Sequence, residues 1–118
     1  MRDAAEITSE DYRRAFLALE SERRISDNQS TMLRTHYRAP DQIITAHQLA
    51  EAVGYKDYPG ANLWYGKLAK LVAEEVGYQP PEGYTFLSTL VTFVKVDTPY
   101  PMKLRPKVAK ALEEMGWV

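Results

Sequence analysis

The chain of 118 residues contains no cysteine, which excludes disulfides, thiolate zinc sites and cysteine nucleophiles together. It has only two histidines, His36 and His47, and neither has a second histidine or a cysteine at ligand spacing, so no metal centre is expected. No apolar run approaches the roughly 18 residues needed to cross a bilayer. Residues 1–9 carry acidic side chains and lack the apolar stretch of a signal peptide, so the expected address is cytoplasmic. Motifs of catalysis are missing too: there is no Gly-x-Ser-x-Gly turn, no phosphate-cradling glycine loop and no His-Glu-x-x-His helix. Glu74 with Glu75, and Glu113 with Glu114, point about 100° apart on a helix and make no acid/base pair. The expectation is a non-enzyme without a cofactor. Excess positive charge is also lacking, because the net charge is -1, whereas a domain devoted to phosphate backbones usually carries a clear positive surplus. Any basic surface must therefore be local.

What is present is an ordinary globular composition, 45% hydrophobic and 26% charged, in a length that suits one domain over residues 1–118. Tyr12, Ala15, Phe16 and Leu19 recur at helical spacing behind Glu10 and Asp11, which predicts a helix over residues 9–22. Ser26 and Gln29 have the spacing of a capping box, and Met32, Leu33, His36 and Tyr37 share one face until Pro40, predicting a helix over 27–38. Thr45 and Gln48 repeat the box at the head of a short helix, 45–53, that Gly54 stops. A longer helix follows Pro59 over 60–76, and Pro106 opens a closing helix over 106–115 with Gly116 as its stop.

Between the last two helices the composition turns β-branched and aromatic. Residues 86–96 read as one strand, Asp97, Thr98 and Pro99 as a turn, and the alternation of Tyr100, Met102 and Leu104 with Pro101, Lys103 and Arg105 as an edge strand. The hairpin spans about residues 85–104. The expected class is α+β: a mostly helical, winged-helix-like single domain with a C-terminal β-hairpin and a closing helix. The alternative is an α+β domain that uses the same parts only for packing.

Function is sought on the pair of helices 45–53 and 60–76, whose short-helix, glycine-turn, long-helix order is that of a helix-turn-helix. On a helical wheel Ala61, Trp64, Tyr65, Leu68, Leu71, Val72 and Val76 form a broad core arc, opposite Asn62, Leu63, Gly66, Lys67, Lys70 and Glu74. Asn62, Lys67 and Lys70 are of the types that pair with bases or phosphates, and they stand in the half of the helix that groove readers use. Lys56 and Tyr58 in the connection, and Lys95, Lys103 and Arg105 on the hairpin, complete the expected DNA-contact set. Two lysines on a polar face are also what a merely solvated helix displays. Leu63 and Gly66 suggest close approach by something: DNA, the hairpin or first helix of the same chain, or a protein partner, a second copy of the chain included. A glycine costs about 1 kcal/mol in a helix relative to alanine, so packing is the expected reason for Gly66.

The runs Ile44-Thr45-Ala46, Leu49-Ala50-Glu51-Ala52-Val53-Gly54-Tyr55, Asn62-Leu63, Tyr65-Gly66-Lys67-Leu68, Leu104-Arg105-Pro106, Val108-Ala109, Ala111-Leu112 and Gly116-Trp117-Val118 resemble a small bacterial domain found beside HNH-type nuclease modules in restriction-like proteins. The likeness spans about residues 12–118, and it implies a DNA-associated accessory role. No HNH nuclease is expected in this chain, since two isolated histidines do not supply its metal-binding site and no room is left for it after Val118.

Overall fold

Three reciprocal capping boxes start the first three helices. In each, a Thr or Ser side chain accepts from the backbone N–H three residues on, and the residue there accepts from the cap's own N–H, so two otherwise orphaned donors are satisfied. Thr8 and Asp11 do this for α1 (Ser9–Ser21), Ser26 and Gln29 for α2 (Asp27–Arg38), and Thr45 and Gln48 for α3 (Ala46–Val53). Gly54 ends α3 in the left-handed conformation, at φ 78°, which an L side chain adopts only under strain. The chain then enters α4 (Tyr58–Val76), and Pro106 later opens α5 (Pro106–Met115). The computed structural model describes residues 3–56, 58–94 and 101–118. The turn expected at Asp97, Thr98 and Pro99, together with Lys95, Val96, Tyr100 and the Tyr58 side chain, lies outside the described residues.

The sheet departs from the expected hairpin in three ways. Ile43–Ile44 form a strand, β1, that the sequence pattern does not announce, and with β2 (Val91–Phe93) and β3 (Met102–Leu104) it makes a three-stranded antiparallel sheet of order β1-β3-β2. Lys103 lies opposite both Ile43 and Thr92, so the last strand is central, not an edge. Pro101 precedes the strand, and its carbonyl still accepts from Val94 N–H at 2.9 Å. Finally, Phe86–Thr89 is a 3-10 turn and not the start of a strand. Ser88 and Thr89 donate their hydroxyls back to the Thr85 and Phe86 carbonyls at 2.8 and 2.6 Å, the local side-chain bonding that competes with sheet pairing.

The class is α+β, the order α2, β1, α3, α4, β2, β3 matches the winged-helix-like arrangement expected from the sequence, and α1 packs against both α4 and α5. The core gathers around α4, whose buried face is Ala61, Tyr65, Leu68, Ala69, Val72, Ala73 and Val76. Tyr12, Phe16 and Leu19 of α1 and Val108 and Leu112 of α5 complete it, each large side chain contributing about 1.5–3 kcal/mol through burial. Polar fasteners fix how the elements cross. Tyr12 donates to the Thr89 carbonyl at 2.7 Å, holding α1 against the 3-10 turn, and Gln29 donates to the Trp64 carbonyl at 2.9 Å, holding α2 against α4. Among the described residues no helix is long and apolar enough to cross a membrane.

Candidate nucleic-acid interface

The second helix of a helix-turn-helix reads a groove only if its outer face is free. Asn62, Lys67 and Lys70 are exposed along α4, and Leu63 is 54% exposed among them. A methyl group built on Gly66 meets nothing within 4 Å. Among the described residues nothing packs against this position, so no packing contact within them accounts for Gly66. The corrected reading is that the glycine leaves a bare strip between Asn62, one turn before it, and Lys70, one turn after.

That absence of packing gives an expected outcome. Gly66→Ala has room for its methyl and gains helix propensity, so unfolding in urea should show a stability rise of about 0.5–1 kcal/mol. If the strip serves close approach by a duplex, the same variant binds that duplex more weakly.

Trp64 is the largest correction to the wheel. It is 42% exposed, not part of the core, because Ala69 and Ala73 are buried and centre the inward face of α4 away from it. The indole instead carries Lys67, whose Nζ stands 4.4 Å from the ring centroid, while Lys70 Nζ stands 5.7 Å from the Phe86 ring. An exposed cation-π contact contributes about 0.5–1 kcal/mol, enough to restrict a lysine without neutralising it. The spacing of three residues between Trp64 and Lys67 is the signal from which this contact was readable. Among the described residues none of Lys56, Lys67, Lys70 and Lys103 is in an ion pair. The chain's slight negative charge therefore coexists with a face of α4 on which Lys67 and Lys70 make no ion pair among the described residues, with the exposed Glu74 at the far end of the same arc.

The remaining expected contacts divide. Lys56 is exposed in the connection between α3 and α4, and Lys103 is exposed on β3. Tyr55 beside Lys56 is half-buried, and its hydroxyl accepts from Asn28 Nδ2 at 3.3 Å. Arg105 is tied inward: its Nε donates to the Ser88 carbonyl at 2.8 Å and its backbone caps α5. Lys70 and Arg105 thus both reach the 3-10 turn, one over Phe86 and the other at Ser88.

Behind this face, one buried junction sets the placement of α4. His36 of α2 is fully buried, with Nδ1 2.8 Å from the Tyr65 hydroxyl of α4 and Nε2 2.8 Å from the Met102 carbonyl of β3. A carbonyl only accepts, so Nε2 carries the proton and Nδ1 accepts from Tyr65. Burial pushes the imidazole down to about 4, against the pull of the Met102 and Gln42 backbone contacts, and burial also holds the Tyr65 phenol protonated by raising its pKa. A neutral, doubly bonded His36 therefore joins α2, the outward-facing helix and the central strand. Comparison with protein-family models, with curated proteins and with solved structures gave no match.

Proposed function

We propose that this chain is a non-catalytic, DNA-binding module of the winged-helix kind, working in the cytoplasm as an accessory to restriction or regulation, with double-stranded DNA as its partner. The observation that carries the reading is the uncovered ridge of α4, where Asn62, Leu63, Gly66, Lys67 and Lys70 face solvent in the helix that this architecture holds out to a groove. Lys56 in the connection and Lys103 on β3, both exposed, are the further lysines that this reading assigns to phosphates.

The competing reading is a protein-assembly surface centred on Leu63 and Gly66, and the exposure of Leu63 and Trp64 favours it to a degree. The charges argue against it. Lysine is depleted from the cores of protein interfaces because its ammonium must be stripped of water, and here Lys67 sits directly on the Trp64 ring. Phosphate oxygens suit such a cation better than an apolar partner does.

Salt separates the two. Four lysines releasing counterions give a slope of about -3.6 in log affinity against log salt, so retention of a generic duplex should weaken by about a hundredfold between about 50 and 200 mM salt. A sizing column run in parallel at both salt concentrations reads assembly. Salt-insensitive self-association with no duplex retention would replace the DNA reading by the assembly one.

A further inference from the structure

We infer that α4 reads an A·T step in the major groove, with Asn62 on adenine and Leu63 on the 5-methyl group of thymine; this rests on the DNA-binding reading above. In that groove adenine offers N7 as acceptor and its 6-amino group as donor, the pair that an Asn side chain matches with two hydrogen bonds. Thymine alone among the four bases presents a methyl group there, and an apolar side chain recognises it by excluding water. Asn62 and Leu63 are consecutive, exposed and in the N-terminal half of α4, where a helix entering the groove meets base edges.

Their neighbours fit the same approach. Gly66 follows Asn62 by one turn and Leu63 by three residues, and the open space at its Cα removes the side chain that would hold the helix off the groove floor. Lys67 and Lys70 continue the ridge at the distance of the next turn, where phosphates take over from bases. Leu63, over half exposed, is free to make the methyl contact without rearrangement of the fold. Trp64 is a poorer candidate for the methyl contact, since Lys67 occupies its ring.

The test uses four alternating duplex polymers at low salt: adenine with thymine, adenine with uracil, guanine with cytosine, and hypoxanthine with cytosine. Uracil differs from thymine only by the missing methyl group, and hypoxanthine with cytosine keeps the major-groove edge of G·C while giving the minor groove an A·T pattern. The inference expects the thymine polymer to bind about tenfold more tightly than the guanine and hypoxanthine polymers. It expects about a fourfold loss on passing from thymine to uracil, the effect of one methyl group left unburied. Leu63→Ala should erase the thymine-to-uracil difference and Asn62→Ala the preference for A·T. Both side chains are exposed, so circular dichroism should show both variants folded. Hypoxanthine binding like the thymine polymer would place the preference in the minor groove and overturn the inference, as would equal binding to all four. In both cases DNA binding itself would stand. Retention of none of the four would overturn the DNA-binding reading together with this one.

Discussion

Lys67→Glu combined with Lys70→Glu is expected to abolish retention of duplex DNA while leaving the protein folded. At about 0.1 M salt each phosphate contact that releases one counterion contributes roughly eightfold to affinity, so losing two removes about sixtyfold before repulsion is counted. Two carboxylates placed on the same ridge then face the phosphates, and the total loss should exceed a hundredfold. The fold has little stake in either lysine: both are exposed, and neither is ion-paired among the described residues. The variant forgoes the Lys67 contact with Trp64 and the longer Lys70 contact with Phe86, each worth up to about 0.5–1 kcal/mol, and places new carboxylates near Glu74, at a further few tenths of a kcal/mol.

A matched control carries the same change of net charge elsewhere. Lys110→Glu on α5 with Arg24→Glu in the connection between α1 and α2 alters two exposed cations away from α4. Filter retention or fluorescence anisotropy should find this control close to the parent. Equal loss in both double variants would mean that overall charge, not the α4 ridge, governs binding. Unchanged retention in the α4 variant would move the function to protein assembly.

The elements that were legible in the sequence are those whose cause is local. Thr45 with Gln48 and Ser26 with Gln29 mark helix starts within four residues of chain, and Gly54 and Gly116 mark ends by their own conformation. The exposure of Asn62, Leu63, Lys67 and Lys70 on α4 follows from helical period, although the same period puts the exposed Trp64 in the core arc. Strand β1 was not, since two isoleucines have no period and become a strand only because β3 lies beside them. The 3-10 turn at Phe86–Thr89 was hidden behind β-branched composition, which reports preference for a pleated surface and is silent about Ser88 and Thr89 bonding to their own backbone. Trp64 is exposed because the small, buried Ala69 and Ala73 turn the inward face of α4 away from it, a preference that hydrophobicity alone does not reveal. Arg105 looked like a wing cation, and only the fold reveals the Ser88 carbonyl that takes its Nε.

Acid should destabilise this protein through His36 well before most carboxylates titrate. Its folded pKa of about 4 lies below the ordinary value of 6.5. Above 6.5 the imidazole is neutral in both folded and unfolded chains, so the group adds no pH dependence there. As pH falls from 6.5 towards 4 the unfolded chain takes up a proton that the folded protein refuses, and stability drops by about 1.4 kcal/mol per pH unit. The expected loss is about 2 kcal/mol between pH 6.5 and 5, a large part of the 5–15 kcal/mol that typically holds a domain together. The physical reason is the junction itself. A protonated ring would place a second N–H against the Tyr65 hydroxyl, which already donates to it, and would bury a charge among α2, α4 and β3. Urea unfolding at pH 7, 6, 5.5 and 5 measures the slope, and His36→Gln should flatten it while lowering stability at neutral pH. NMR titration of the His36 ring reads the same quantity without a variant, with a midpoint near 4 expected. A midpoint near 6.5, or parallel slopes in parent and variant, would mean that the junction admits a proton as readily as water does. Tyr65→Phe probes the other half of the pair: it leaves Nδ1 buried without a donor, at a cost of about 1–3 kcal/mol at neutral pH, and removes a polar contact that, beside Gln29 on the Trp64 carbonyl, ties α2 to α4.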